Sequence, residues 1–503
     1  MAAFLGCLLL LLEVVHTIRM FLRLRQFPGP PLAAWSKSWI LKGIYHKNLH
    51  LQLKAACDRY GSVVRIAPND LVTSDPELLT RISSVRSAYS RSDFYSGTQF
   101  DLDLNHVFSE RNEERHLDLR RRLGPGYSGK ENRFLERSVS ERILDLLDLI
   151  DREYISSADQ LRPLDFAKVA QFFTLDMISD VAFGEPIGFL ARNEDINGYC
   201  QVAEQALPAF EWAAALPAIN RFARLPIINK FVMPNAKDPT GVGMIMGFAK
   251  RAVSLRFGPN KVEKSDMLQA FLRHGLSQRE AETESALQIM AGSDTTVTAL
   301  RATVLFIITS PRVHDKVRRE LLRLEKVGSM GMDRVVTDNE AKDLPYLLAC
   351  IRESLRIWPP SFGLMQKVVP KGGDHINGRF VPEGTRVGHC TWGVLRDREV
   401  FGPDADAYRP ERWLDRSPED LRNMIRSADL VFGAGRYQCL GKTIAYLELR
   451  MCLATIFSLY DISIIDPTAP WKSVAANGMF LQSHMLLRID KRQDAVDEST
   501  YTL

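Results

Sequence analysis

The segment that most restricts the fold of this chain is residues 431–442, with the sequence VFGAGRYQCLGK. Gly433 and Gly435 lie shortly before Cys439, and glycine enters tight, positive-φ turns that other residues avoid. The apolar pattern that follows predicts a helix over residues 440–460. The chain therefore presents one thiol on a glycine-rich turn at the start of a helix.

A cysteine in this position is predicted to be a metal ligand. Backbone N–H groups at a helix start point toward the sulfur, lower its pKa and tune its electron donation to iron. Gly441 removes a side chain where a flat group would press on the helix. The other six cysteines are spread over positions 7, 57, 200, 350, 390 and 452 and form no CxxC pair. This pattern disfavours a disulfide framework or a zinc ribbon and favours a reducing compartment.

The remainder of the chain is predominantly helical. Long stretches carry apolar residues at three-to-four spacing. These stretches are residues 141–154, 175–183, 278–310 and 311–325. Short β-like runs occur at residues 62–67 and 70–73, and a turn-rich region covers residues 359–429. The sequence thus predicts a mainly α fold with small β-sheets.

The longest predicted helix, over residues 278–310, contains the sequence AGSDTT at residues 291–296. A glycine inside a helix costs about 1 kcal/mol relative to alanine. Small hydroxyl residues follow this glycine, so we interpret the segment as a local opening of the helix that forms a groove. A simple kink with capping-type residues is the alternative.

Two pairs of polar residues share a helix face. Glu353 and Arg356 form an ExxR pair, and His116 precedes Arg120 by one helical turn. Lone ExxR pairs are commonly surface ion pairs that contribute little. A solvated basic face is an alternative for His116 and Arg120, because two further arginines follow them.

The cysteine segment resembles the haem-ligand loop of the cytochrome P-450 family, whose signature is FxxGxRxCxG. Phe432, Gly435, Cys439 and Gly441 match this signature. Tyr437 stands where the family usually has arginine, and a phenol can still donate to a haem propionate.

The other motifs resemble family segments in family order over residues 27–488. The sequence AGSDTT is similar to the oxygen-binding segment, and YRPERW at residues 408–413 is similar to the PERW segment. His116 and Arg120 resemble the family helix whose side chains reach a propionate.

The resemblance implies the cytochrome P-450 fold, with haem between the long oxygen-binding helix and the cysteine loop and Cys439 as the axial ligand of the iron. It implies that Thr295 hydrogen-bonds the bound oxygen and that Asp294 relays protons. The haem-binding residues that it implies are His116, Arg120, Phe432, Gly433, Arg436, Tyr437 and Gly441. The buried structural triad that it implies consists of Glu353, Arg356 and Arg412. Lys367 lies where relatives tend to carry another propionate-binding arginine.

The implied activity is that of a haem-thiolate monooxygenase, which inserts one oxygen atom of O2 into a lipophilic small molecule by hydroxylation, epoxidation or several oxidations. The implied cofactor is haem b, and the electrons come from NADPH through a membrane-bound NADPH-cytochrome P-450 reductase. Residues 368–413 look most like filamentous-fungal members of the pisatin-demethylase and trichodiene-oxygenase type, which mostly act in secondary-metabolite biosynthesis.

The resemblance to the family also suggests which residues face the reductase and which segments contact the substrate. Several basic residues are candidates for the surface that faces the reductase, and solvated or propionate-directed roles are the alternatives. These residues are Arg120, Arg121, Arg122, Arg436 and Lys442. Candidate substrate segments are residues 95–108, 207–231, 286–291, 361–364 and 479–481. Aromatic residues in these segments, such as Phe210, Trp212 and Phe480, are expected either to contact substrate or to belong to the core.

The amino end is predicted to anchor the chain in a membrane. Residues 1–12 carry no charge, and arginines 19, 23 and 25 follow the apolar run. The positive-inside rule then places the catalytic domain, residues 27–503, in the cytoplasm. We therefore predict a single-pass anchor over residues 1–26 in the endoplasmic reticulum membrane. A cleaved signal peptide and an amphipathic segment that only lies on the bilayer are the alternatives.

Other functions are weighed against this one. A net charge of +4, from 65 Lys and Arg against 61 Asp and Glu, gives no support for a nucleic-acid-binding protein. A haem-thiolate peroxide isomerase or dehydratase would need neither O2 nor a reductase, and Asp294 and Thr295 disfavour it because it has less use for a proton relay. A membrane haem protein without catalysis is the third possibility.

Overall fold

The computed structural model describes residues 14–132, 134–223, 225, 227–228, 233–326 and 335–492. Residues 14–23 are helical. The α-helices that follow are α1 (Ser38–Tyr45), α2 (Leu49–Tyr60), α3 (Pro76–Ser83), α4 (Glu113–Tyr127), α5 (Leu135–Glu153), α6 (Phe166–Phe183), α7 (Phe189–Arg192), α8 (Tyr199–Ala215), α9 (Pro217–Ala223), α10 (Gly241–Ser254), α11 (Met267–Arg273), α12 (Gln278–Ile308), α13 (Pro311–Lys326), α14 (Asp338–Lys342), α15 (Pro345–Ile357), α16 (Thr391–Val394), α17 (Arg398–Phe401), α18 (Pro418–Ala428) and α19 (Lys442–Leu459).

Strands form small, separate sheets between these helices. They are β1 (Val63–Ala67), β2 (Asp70–Thr73), β3 (Ser90–Arg91), β4 (Leu164–Asp165), β5 (Lys367–Val368), β6 (Asp374–Ile376), β7 (Arg379–Val381), β8 (Arg386–His389), β9 (Tyr460–Ile464), β10 (Lys472–Ala476), β11 (Met479–Ser483) and β12 (Leu486–Lys491). The predicted fold class, mainly α with small β-sheets, is confirmed.

The largest sheet brings distant parts of the chain together. Its strand order is β1-β2-β8-β5-β3, in which β2 and β8 are parallel and the other neighbours are antiparallel. The predicted β-like runs at residues 62–67 and 70–73 form β1 and β2. This sheet places Arg91 of β3 opposite Lys367 of β5. The other sheets have the orders β4-β12-β9, β10-β11 and β6-β7.

The helical core is built around α6 and α12. Every residue of α6 except Lys168 is buried, including the polar residues Gln171, Asp176 and Asp180. The start of α12 is fixed by a capping box between Ser277 and Glu280. A Cβ atom on Gly292 of α12 would lie 2.7 Å from Cγ1 of Ile178 on α6. The glycine therefore allows the two helices to approach closely.

The predicted opening of the helix near Gly292 is not observed, because α12 is continuous from Gln278 to Ile308. The hydroxyl groups that suggested an opening instead donate to carbonyl oxygens one turn earlier. Ser293 donates to Ile289 at 2.8 Å, and Thr295 donates to Ala291 at 2.8 Å. Such bonds occupy the hydroxyls without breaking the backbone ladder.

Residues 1–13, which make up half of the predicted anchor, lie outside the described part of the chain. Among the residues that the structure describes, no helix is both long enough and apolar enough to cross a membrane.

The side chain of Glu353 joins α15 to the segment around residues 404–413. Its carboxylate accepts hydrogen bonds from Arg356 Nε at 2.9 Å and Nη2 at 2.8 Å, and from Arg412 Nε at 2.8 Å. It also accepts from the Arg409 backbone at 2.9 Å and from the Trp413 indole at 2.9 Å. Glu353 is completely buried. The sequence-predicted residues Glu353, Arg356 and Arg412 thus lie together in one buried ion cluster.

Substitution of Glu353 is expected to be severely destabilising. Glu353→Ala leaves two buried guanidinium groups without their carboxylate, which costs roughly 3–5 kcal/mol. Chemical denaturation of the variant measures this loss in the free energy of unfolding. Glu399→Ala, on the exposed first turn of α17, is the matched control and should cost less than about 1 kcal/mol. Equal losses in the two variants would contradict a special role for the cluster.

Candidate active site

The cysteine loop is folded by its glycines. Gly433 has a φ of 71° and Gly435 a φ of 56°, both in the left-handed region that favours glycine. A Cβ atom on Gly435 would lie 2.2 Å from the Ser83 carbonyl oxygen. The Cys439 amide donates to the Phe432 carbonyl at 2.7 Å and closes the loop. This loop delivers Cys439 to the start of α19.

The Cys439 thiol is accessible to solvent, yet the surrounding protein desolvates it. Desolvation raises the pKa of the thiol, while the N–H groups of Gly441 and Lys442 and the charge of Arg120 act in the opposite direction. The predicted effect of the helix start is therefore present, but the predicted net lowering of the pKa is wrong because desolvation outweighs it. An accessible, desolvated sulfur is suited to hold a ligand that brings its own positive charge.

The centre of α12 carries accessible residues although most of this helix is buried. Ala291 is exposed, and Asp294 and Thr295 are half-buried. Asp294 accepts a hydrogen bond from Gln171 Nε2 at 3.0 Å. Burial raises the pKa of Asp294 to about 6, although the Arg301 charge and the Gln171 hydrogen bond lower it. This carboxyl group can therefore exchange a proton near neutral pH.

His116 on α4 has a buried ring without a hydrogen bond. The described residues provide no partner for either ring nitrogen, and the nearest carboxylate oxygen, on Glu113, is 3.9 Å away. Burial lowers the pKa of His116 to about 2, and the charges of Arg91, Arg120 and Arg436 contribute. The imidazole is therefore neutral, with a donor that is free to bind a ligand.

Positive charge accumulates around this histidine. Arg91 and Arg436 are buried, and Arg120 is half-buried. The Arg436 guanidinium binds the Ser87 carbonyl and lies 3.4 Å from the Glu113 carboxylate. Arg91 donates to carbonyl oxygens of residues 107 and 110.

Lys367 adds a fourth cation to the same cluster. It is buried, and its ammonium lies 2.9 Å from His389 Nε2. Burial lowers the pKa of Lys367 to about 7, and the charge of Arg91 adds to this effect. Glu113 raises the pKa, but it already accepts a 2.5 Å hydrogen bond from Tyr437. Lys367 therefore carries only part of a positive charge near neutral pH, and Arg91, Arg120 and Arg436 supply the full charges around His116.

The arrangement fits a flat group that carries carboxylates and an iron. The ring N–H of His116 and the cation cluster would donate hydrogen bonds to the carboxylates, and the accessible Cys439 sulfur would face the metal. The sequence motifs indicated His116, Arg120, Lys367 and Arg436 for this region. Sequence reasoning missed Arg91, Glu113 and His389, because no local pattern marks residues that arrive from separate elements.

The aromatic residues in the candidate substrate segments differ in burial, and Phe210 and Trp212 are half-buried residues that pack against the hydrophobic core. Phe362 and Phe480 are buried, with ring centroids 4.5 Å apart. They pack with Trp358, Trp392 and His50. Phe480 therefore belongs to a buried aromatic cluster, and its contact with substrate stays a prediction. The segment over residues 207–231 is described only in part.

The basic residues considered for a reductase-facing surface are largely paired. Arg121 binds Asp118 at 2.6 Å, and Lys442 binds Asp429 at 2.7 Å. Arg122 lies 3.2 Å from Glu280. Arg120 and Arg436 belong to the interior cluster instead.

Comparisons with known proteins agree with these observations. The family model described as cytochrome P-450 matches residues 28–488. The chain is 37% identical over 481 residues to the cytochrome P-450 monooxygenase ABA1 of Pyricularia oryzae, with 93% of each chain covered. It is 35% identical over 475 residues to the monooxygenase aba1 of Botryotinia fuckeliana, with 93% of this chain and 92% of that protein covered. It is 32% identical to the monooxygenase mpaDE of Penicillium brevicompactum, with 90% of this chain and 54% of that protein covered.

Substitution of Gly435 tests the geometry of the cysteine loop. In Gly435→Ala, the side chain both occupies a left-handed φ, which costs about 1–2 kcal/mol, and collides with the Ser83 carbonyl. Gly372→Ala is the matched control, since Gly372 has a φ of 87° and open space around its Cβ position. Urea denaturation should show that Gly435→Ala loses at least about 1 kcal/mol more than the control. Similar losses would mean that the close approach to Ser83 does not constrain the loop.

Proposed function

Because the chain belongs to the cytochrome P-450 family, we propose that it is a haem-thiolate monooxygenase that inserts one oxygen atom of O2 into a lipophilic small molecule. We further propose that its electrons come from NADPH through a cytochrome P-450 reductase. The resemblance to fungal enzymes of the pisatin-demethylase and trichodiene-oxygenase type supports a role in secondary-metabolite biosynthesis.

The observation that carries this proposal is the Cys439 thiol. It is accessible just before the start of α19, two backbone N–H groups favour its ionised form, and unpartnered His116 and the cation cluster belong to the same region. In the proposed enzyme, the Cys439 sulfur would hold the iron of haem b. Haem supplies the activation of O2, and the protein supplies the thiolate, the orientation of the substrate and the protons.

The proposed haem contacts divide by chemistry. His116 and Arg120 donate to a propionate, and Lys367 contributes charge from β5. Phe432 packs in the cysteine loop, while Gly433 and Gly441 keep side chains away from the haem plane. Tyr437 donates a hydrogen bond to the Glu113 carboxylate, and Arg436 forms an ion pair with it. Both residues are proposed to act on the propionate region through this carboxylate.

Protons are proposed to arrive through the accessible face of α12. The half-buried Asp294 carboxyl has a pKa of about 6, so it can release and regain a proton during turnover. Thr295 lies next to it, and its hydroxyl donates to the Ala291 carbonyl. Its lone pairs remain able to accept a hydrogen bond from a bound molecule. We propose that Thr295 would orient a ligand at this face of α12 by a hydrogen bond and that the Asp294 carboxyl group would hold and release the protons that the reaction consumes.

The membrane anchor over residues 1–26 and the location in the endoplasmic reticulum stay predictions. They rest on the uncharged amino end and on the arginines that follow it.

The absorption spectrum of the reduced, CO-bound protein tests the ligand assignment. Wild-type protein should show the red-shifted thiolate band, and Cys439→Ser should lose it, because a serine hydroxyl donates far less electron density to the iron. Cys200→Ser, which changes a half-buried cysteine elsewhere, should keep the band. Absence of the band in wild type, or its survival in Cys439→Ser, would overturn the assignment.

Substitution of Thr295 tests the role of α12. Thr295→Ala should raise the hydrogen peroxide released per NADPH consumed by roughly 10-fold, since protons then reach the reacting oxygen in the wrong position. Thr283→Ala is the matched control, because Thr283 donates to a carbonyl one turn earlier on the same helix, as Thr295 does. Equal coupling of NADPH to product in the two variants would contradict the proposed role.

A further inference from the structure

A buried polar chain leads from Asp294 into the interior. Gln171 of α6 donates from Nε2 to Asp294 Oδ1 at 3.0 Å. The same amide accepts on Oε1 from Arg301 Nη2 at 3.3 Å. Asp294 and Arg301 lie two turns apart on α12, about 10 Å along the axis. Gln171 therefore spans a gap that the two charged side chains do not close themselves.

Only one orientation of the Gln171 amide satisfies both neighbours. A guanidinium group can only donate hydrogen bonds, and a carboxylate can only accept them. The amide oxygen must therefore face Arg301, and the amide nitrogen must face Asp294. Because Gln171 is buried, turning the amide would leave two buried contacts unsatisfied.

Arg301 is itself held from two sides. It donates to the Ala167 carbonyl of α6, and its Nη1 lies 3.5 Å from Gln482 Oε1 of β11. Both of these acceptors are neutral. The Arg301 charge lowers the pKa of Asp294, so the bridging amide lies between a cation and the carboxyl group that this cation influences.

Among the described residues, those of the other elements around Asp294 contribute no cation to its electrostatics. From α8, Tyr199 and Cys200 face the carboxyl group, and the charge of Asp294 raises the pKa of both. The Tyr199 hydroxyl lies 3.3 Å from the Ser293 hydroxyl on α12. Among the described residues whose interactions with Asp294 are resolved, Arg301 is the only cation. The ionised form of Asp294 thus depends on Gln171 and Arg301.

We propose that Gln171 and Arg301 are positioning residues that fix the Asp294 carboxyl group and allow it to alternate between its protonated and ionised forms during turnover. This inference rests on the proposed monooxygenase function. The O–H bond of Asp294 breaks as its proton passes to an oxygen acceptor at the accessible face of α12, and a new O–H bond forms with a proton from solvent water. Arg301 keeps its proton throughout.

The test compares three glutamine variants of the haem-loaded protein. Gln171→Met keeps the shape of the side chain and removes both hydrogen bonds. Gln171→Glu keeps a partner for Arg301 and adds a negative charge beside Asp294. Gln278→Met makes the same chemical change on the exposed first turn of α12 and is the matched control.

The main readout is the titration of Asp294 in the resting protein. The infrared carbonyl band of its protonated carboxyl group is identified by its absence in Asp294→Asn. The wild-type midpoint should lie near pH 6. In Gln171→Met it should rise by about one unit or more, because the ionised form loses a hydrogen bond. Gln171→Glu should raise it as well, because a like charge disfavours ionisation, and Gln278→Met should leave it unchanged.

Turnover provides the second readout. The pH profile of NADPH-driven product formation should move upward together with the infrared midpoint. Turnover driven by an organic hydroperoxide should be unchanged, since this oxidant brings its own O–O bond and a proton. A merely structural role for Gln171 would reduce both kinds of turnover and would leave the midpoint in place.

An unchanged midpoint in whichever Gln171 variant folds with haem overturns the inference. If the midpoint moves but wild-type protein forms no product with NADPH and reductase, the proposed function fails and the positioning role stands. If product forms and the midpoint does not move, only the positioning role fails.

Discussion

The free-energy cost of burying charge distinguishes two clusters in this protein. In one cluster the buried charges pair with one another, and in the other they require a further partner. The carboxylate of Glu353 is buried with donors from Arg356, Arg412 and two neighbouring residues, so every charge in that cluster has a partner. Around His116 the balance is different, because among the described residues Arg91, Arg120, Arg436 and the partly charged Lys367 outnumber the Glu113 carboxylate. A buried excess of charge costs several kcal/mol unless an opposite charge joins it. The first cluster therefore stabilises the folded chain, and the second favours the binding of an anionic ligand.

The parts of the fold that depend on local patterns could be predicted from the sequence. The long helix α12 and the helix after Cys439 follow from apolar spacing, and each agrees with its prediction within two residues. The shared helix faces of Glu353 with Arg356 and of His116 with Arg120 follow from the helical repeat. Gln171 and Arg91 could not be identified in this way. Their roles arise where α6 meets α12 and where β3 meets β5, and single-sequence patterns do not record such contacts.

Two physical expectations needed correction for the same reason, namely that tertiary surroundings outweigh a local tendency. The glycine in α12 suggested an opened helix, but Gly292 instead accommodates Ile178 while the hydroxyl of Thr295 bonds within the turn. The helix start suggested a lowered pKa for Cys439, but desolvation raises it despite two N–H groups. A metal ion would reverse this balance, because a coordinating thiol is deprotonated by the metal's own charge. The thiolate is thus a property of the protein together with its ligand.

The tyrosine at position 437 is best understood through the cations that surround it. The charged groups of Arg91, Lys367 and Arg436 lie 5.0, 5.1 and 5.5 Å from the centroid of its ring. An aromatic face attracts cations, so the ring offsets part of their mutual repulsion, whereas the arginine usual at this position would add a fifth positive charge. The ring also stacks on His116, with the two ring centroids 5.4 Å apart, and its hydroxyl donates a hydrogen bond to Glu113. Tyr437 therefore orders the cluster by packing. The family signature has a positive charge at position 437, and in this chain the neighbouring basic residues carry positive charge instead.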